Sequence, residues 1–160
     1  MNNTILANLN TGKDDWKTPK DLFFALDAIY HFTLDPCSTH DNALCEKHFT
    51  KEENGLLQDW RGETVFMNPP YSGETGKWVK KAYCESENGA TVVCLIPARP
   101  DTQYWQEIIF PYATNIQFIR GRLHFSESKQ GAGFPSAIVV FDKCSQGHYS
   151  QLGINKNYSR

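Results

Sequence analysis

The sequence predicts an α/β domain with a mostly parallel central sheet and helices on both faces. Three observations point there. Short apolar runs of strand length alternate along the chain with segments whose apolar residues recur at helical spacing. The longest run, Ala90 to Ala98 (ATVVCLIPA), is apolar without alternation, as expected of a strand covered on both faces. Two runs end in proline turns, Asp35-Pro36 and Asn68-Pro69-Pro70, and open α/β sheets collect ligands at such strand ends.

Each element follows from its local chemistry. Residues 1 to 14 are polar, with Asn recurring, and read as a flexible lead-in. The stretch TPKDLFFALDAIYHF reads as a helix. Thr18 suits a cap, Pro19 the first turn and Asp21 a capping-box position, and Leu22, Phe23, Leu26, Ile29 and Tyr30 form an apolar face. FTLDPCS is a short strand ending at Asp35-Pro36, followed by a mostly irregular region with a short strand near Lys47 to Thr50. TVFM is a strand that runs straight into Asn68-Pro69-Pro70-Tyr71. Two prolines in succession forbid its continuation, because each lacks an N–H and has a fixed φ.

ETGKWVKKAYCESENG predicts a helix that packs Trp78, Val79, Ala82 and Tyr83 on one side and stops at Gly89. After the buried strand, DTQYWQEIIF predicts a helix capped by Asp101, with Pro111 beyond its end. TNIQFIRGRLHF gives one or two strands broken near Gly121, with His124 on a strand, and SAIVVFD gives the last strand. The domain thus runs over residues 15 to 146, with a polar tail from 147 to 160.

Composition narrows the function classes. The chain has 160 residues, 40% hydrophobic and 21% charged, which suits one globular domain. No apolar run approaches the ~18 residues of a membrane span. The start lacks the basic-then-apolar form of a signal peptide, so a cytoplasmic protein is expected. Five cysteines without a Cys-x-x-Cys pair read as reduced thiols. A formal charge of −2 argues against coating nucleic acid by bulk charge, though not against a local basic face.

The chemistry concentrates at the Asn-Pro-Pro-Tyr turn. An amide oxygen and a backbone carbonyl both accept hydrogen bonds, so aimed at one point they suit an –NH2 group. Neither is a strong base. An aromatic ring beside them offers a stacking surface for a planar base. Together they fit the exocyclic amine of a flipped nucleobase, with no metal required. Cys37, His40, Cys45 and His48 carry metal-ligating types, but their central gap is shorter than zinc-finger spacing, and they read as unrelated reduced side chains. Nothing pairs His124 with a nucleophile, and no phosphate-binding Gly-Lys-Ser/Thr loop exists.

The blocks DWKTPKDLF, LDPCS, LLQDWRGETVFMNPPYS, PARPDTQYW and GRLHF followed by GFPSAIVVF, in this order, resemble the small phage-type DNA N6-adenine methyltransferases, the Dam family. The resemblance covers roughly residues 15 to 142. It implies a single Rossmann-like methyltransferase domain, S-adenosylmethionine as methyl donor and double-stranded DNA as substrate. It also implies phage or restriction-modification context. By the same resemblance, Asn68, Pro69, Pro70 and Tyr71 match the catalytic turn, with Asn68 and the Pro69 carbonyl accepting from the adenine amine and Tyr71 stacking on the base. Trp16, Thr18 and Pro19, then Asp35, Pro36 and Cys37, and then Asp59 match blocks that meet the donor.

Two features depart from that pattern. The stretch DPCSTHDN after the first strand lacks the Gly-x-Gly usual in such cofactor loops, and no long insertion offers a target-recognition domain. Recognition falls to the loops at 72–77, 99–104 and 126–133. Lys77, Lys80 and Lys81 on the helix after the turn, with Arg99, Arg120 and Arg122 at strand ends, are the candidate DNA-contacting cations. Trp78 and Trp105 read as core, and Trp16 as a cofactor or lid contact. The turn alone also fits RNA adenine, cytosine N4 or a glutamine side chain. A catalytically silent DNA- or donor-binding module is the rival from another class.

Overall fold

A computed structural model describes residues 16–125 and 131–143. The lead-in over 1–14, the tail over 147–160 and part of the 126–133 loop lie outside the described residues. Among the described residues, three α-helices, α1 (Lys20–Tyr30), α2 (Thr75–Glu87) and α3 (Phe110–Tyr112), accompany six strands: β1 (Leu34–Asp35), β2 (Lys47–His48), β3 (Thr64–Met67), β4 (Thr91–Pro97), β5 (Asn115–Phe118) and β6 (Ser136–Asp142). The strands form one mixed sheet in the order β2-β1-β3-β4-β6-β5. β2, β1, β3 and β4 pair in parallel, and β6 runs antiparallel to both β4 and β5. Five strands therefore share one direction and β6 opposes them.

Alternation along the strands sorts the core into two layers. Val65 and Met67 of β3, Val92, Cys94 and Ile96 of β4, and Ala137, Val139 and Phe141 of β6 face Trp78, Val79 and Ala82 of α2, with Trp105 and Ile109. Phe66, Val93, Leu95, Ile138 and Val140 face the other way, onto Phe23 and Leu26 of α1 and onto Phe125 and Phe134. Helices thus cover both faces. At about 25 cal/mol per Å2 of apolar surface, burial of these side chains is the main term holding the layers together.

The connection order places the site. The chain leaves β1 for β2 on one side, then returns to place β3 on the other side of β1. Neighbouring connections that leave in opposite directions open a crevice at the carboxyl ends of β1 and β3. Asp35 ends β1, and Asn68 directly follows β3.

Several local expectations need correction. Pro19, not Thr18, occupies the N-cap of α1, and the helix begins at Lys20 with no side-chain cap bond. Thr18 stands outside the helix because its hydroxyl is engaged by Asn68. The predicted helix after Asp101 is largely a π-helical turn, Trp105–Ile109, continued by α3. Pro111 lies inside α3, which follows the π-helical turn without a break. Only Asn115–Phe118 of the TNIQFIRGRLHF stretch is a strand, and His124 lies outside it, exposed. A 3-10 turn, Gly55–Leu57, occurs in the region read as irregular. Among the described residues, no helix is long and apolar enough to cross a membrane.

Candidate active site

The turn after β3 is built as a rigid presentation of one amide. Pro69 is buried, and the Pro70 carbonyl accepts the Thr75 hydroxyl at 2.8 Å. That hydroxyl also donates to the Ser72 carbonyl at 3.0 Å, which ties the turn to the first residue of α2. The Tyr71 hydroxyl donates to the Leu95 carbonyl of β4 at 3.0 Å. Both ends of the turn are thereby fixed to regular elements.

Asn68 is held from one side only. Its Nδ2 donates to the Trp16 carbonyl at 2.7 Å and to the Thr18 hydroxyl at 2.9 Å. The carbonyl has no proton to give, so the atom facing it must be the amide nitrogen. Its Oδ1 is buried and has no hydrogen-bond partner. A buried acceptor left unpaired costs on the order of 1–3 kcal/mol, so a donor arriving there is favoured.

Aromatic rings wall the same side of the sheet. Trp16 packs against Phe125 and Phe134 with ring centroids 5.0 and 5.4 Å away. The Tyr71 ring meets the same two phenylalanines edge to face, at 6.1 and 5.6 Å. The Arg99 guanidinium lies over the Phe134 ring at 5.9 Å. Burial pushes the Tyr71 hydroxyl well above the ordinary phenol range, so it remains a neutral donor. Phe125 and Phe134 carry no role in the sequence reading, although both flank the Gly-rich stretch at 131–133; only the fold brings them beside Trp16 and Tyr71.

Asp35 ends β1, the strand that pairs with β3. It is 4% exposed, and its carboxylate accepts the Cys37 N–H at 3.2 Å and the Leu44 N–H at 3.1 Å. Burial nevertheless raises its pKa, and those two N–H groups oppose the rise. A buried carboxylate in that state gains from a nearby cation. Pro36 is buried beside it, and the Cys37 thiol is pushed well up, first by burial and then by the Asp35 charge, so it stays a thiol. Close backbone approach is supplied from another segment: a Cβ on Gly55 would stand 2.4 Å from the Pro36 carbonyl oxygen. Glycine at 55 therefore lets the Gly55–Leu57 turn press onto the proline loop, where no Gly-x-Gly exists.

The other sequence candidates divide. Pro19 is the N-cap residue of α1, next to Thr18. Asp59 is exposed and clasped by Arg61, whose Nε and guanidinium nitrogen lie 2.6 to 3.0 Å from its oxygens. That hydrogen-bonded guanidinium holds the Asp59 carboxyl down at about 2. Lys81 is turned inward, donating to the Gln58 carbonyl and pairing with the buried Glu85 while lying over the Trp60 ring. It serves the packing of α2 and is withdrawn from the DNA-contacting set. Lys77 is exposed and paired with Glu74, and Lys80, Arg120 and Arg122 are exposed. His40 and His48 face each other at 2.9 Å, and the Cys45 thiol is pushed up to about 12, chiefly by burial.

Comparison with known proteins matches residues 7–158 to the family model described as DNA N-6-adenine-methyltransferase (Dam). The chain belongs to this family. It is thereby placed among the transferases that methylate adenine N6 in DNA. A DNA N-6-adenine-methyltransferase of Haemophilus phage HP1 (strain HP1c1) is 28% identical over 151 residues, which cover 86% of either chain. One of Escherichia phage T1 is 33% identical over 97 residues. That match covers 59% of this chain and 40% of the T1 protein, so the chain spans less than half of that relative. The Asn68 turn and Asp35 thus sit within a stretch that the family model matches end to end.

Proposed function

We propose that this protein transfers a methyl group from S-adenosylmethionine to the N6 amine of an adenine extruded from double-stranded DNA. The observation that carries the reading is the buried, unpaired Oδ1 of Asn68 at the switch point of the sheet. The donor supplies an electrophilic methyl on a cationic sulfur. The residues present fit it: Asp35 is a buried carboxylate suited to an ammonium group, and Pro36 is buried next to it in the chain. The switch-point crevice supports a Rossmann-like cofactor fold.

In this reading the Asn68 oxygen and the Pro69 carbonyl accept the two N–H protons of the amine. That polarises nitrogen density out of the ring plane without removing a proton. So aimed, the N6 lone pair would take the methyl that a bound donor supplies, the C–S electrons returning to sulfur as a neutral thioether and the surplus N6 proton passing to water. Tyr71 offers the extruded base a ring held by Phe125, Phe134 and the Leu95 carbonyl. Lys77, Lys80, Arg99, Arg120 and Arg122 supply the phosphate-facing charge that a formal net of −2 conceals. On this reading the protein works in the cytoplasm of a bacterial or phage-infected cell.

Unmodified duplex DNA incubated with methyl-labelled donor and digested for mass spectrometry tests this. Label in N6-methyl-2′-deoxyadenosine supports the reading. Label confined to N4-methylcytosine or to protein glutamine would refute it.

A further inference from the structure

We propose that Thr18 is a positioning residue for the transfer step: with the Trp16 carbonyl, it locks the Asn68 amide so that Oδ1 faces the incoming amine. The inference rests on the reading of Asn68 as the amine acceptor. An amide has two ends of nearly equal shape and opposite hydrogen-bonding sense. Flipped by half a turn, Asn68 would press its oxygen against the Trp16 carbonyl and aim N–H groups at an amine that also carries N–H groups. The 2.7 Å contact to the Trp16 carbonyl forbids the flip.

Thr18 completes the lock. A single bond to Trp16 leaves the amide free to twist about that contact. The 2.9 Å bond to the Thr18 hydroxyl engages the nitrogen a second time and fixes the amide plane. Thr18 is 9% exposed, so solvent does not readily replace its hydroxyl. This explains why Thr18 lies outside α1 and does not cap it. The segment before α1 therefore acts through Asn68, and its Trp16 ring also closes the aromatic wall.

The test pairs Thr18→Val, which keeps the shape and removes the hydroxyl, with Thr18→Ser, which keeps the hydroxyl. Single-turnover methylation of duplex DNA should slow about tenfold or more in Thr18→Val, as befits a lost buried hydrogen bond. KM for the donor and affinity for DNA should stay within about twofold, and Thr18→Ser should recover most of the rate. A second readout needs no substrate. Exchange of the Asn68 Nδ2 protons, followed by NMR in the free protein, should quicken about tenfold in Thr18→Val and not in Thr18→Ser. If Thr18→Val does not fold, Thr18→Ala takes its place in both measurements. A normal rate without the hydroxyl, a loss confined to donor KM, or unchanged Nδ2 exchange overturns the proposal. A wild-type protein that never methylates adenine but shows the exchange difference overturns only the function reading.

Discussion

Replacing Asn68 by Asp isolates what the amide nitrogen contributes. The change keeps an acceptor oxygen and nearly the same shape. An ionised carboxylate, however, places a second oxygen where Nδ2 now lies, 2.7 Å from the Trp16 carbonyl. Neither atom carries a proton there. The Thr18 hydroxyl can turn and donate, so one of the two present contacts survives. The loss is one hydrogen bond, at about 1 kcal/mol, plus a buried carbonyl left without a donor, at about 1–3 kcal/mol. The sum is roughly 2–4 kcal/mol, or a fall in Tm of about 5–15 °C for a chain of this size.

The sign of the pH effect follows. Burial and the facing carbonyl raise the new carboxyl above its unfolded value of about 3.9. The folded state then binds the proton more tightly, so the variant loses stability as pH rises through that window. Below it, the protonated acid donates to the Trp16 carbonyl and keeps its other oxygen where Asn68 Oδ1 now lies. Tm and single-turnover rate, each as a ratio to wild type, should therefore recover as pH is lowered from 8 towards 5. Ratios that stay flat or improve with rising pH would refute the assignment of amide orientation.

Asp35→Asn should raise the dissociation constant of S-adenosylmethionine by about tenfold, measured by calorimetry, with little change in the rate at saturating donor, because a carboxylate no longer faces the cation. Lys81→Met should lower Tm by roughly 6–12 °C by leaving Glu85 buried with the Trp60 N–H alone, while DNA affinity at fixed salt stays within about twofold. Alanine at Lys80, Arg120 or Arg122 should weaken DNA binding and reduce the slope of log affinity against log salt by about one for each phosphate contact removed.

Where sequence pattern and buried surface coincide, the fold was legible. The unbroken apolar run from Ala90 to Ala98 became β4, the central strand paired on both edges. The helical spacing around Trp78, Val79 and Ala82 became the buried face of α2. The Asn-Pro-Pro-Tyr turn was legible because proline stops a strand at one residue, so its position on the sheet edge follows from β3 alone. Less legible were features set by distant partners. Thr18 has cap chemistry, and only the approach of a side chain 50 residues away diverts its hydroxyl. Lys81 looks like its neighbours Lys77 and Lys80 in sequence, yet one step around the helix turns it onto Trp60 and Glu85. Asp59 belongs to a block resembling donor contacts, but Arg61, two residues on, claims its carboxylate. Phe125 and Phe134 gave no local signal, because a ring wall arises only when separate segments converge.

On the proposed function, the unpaired Asn68 oxygen accepts the amine during transfer and does not hold the donor. Asn68→Ala, compared with wild type by single-turnover methylation and by calorimetric titration of S-adenosylmethionine, tests it most directly. The rate should fall by about 100-fold or more, the scale of removing one preorganised polar contact from a transition state. Donor affinity should stay within about twofold. A surviving rate, or a donor affinity that collapses together with the rate, would contradict the account.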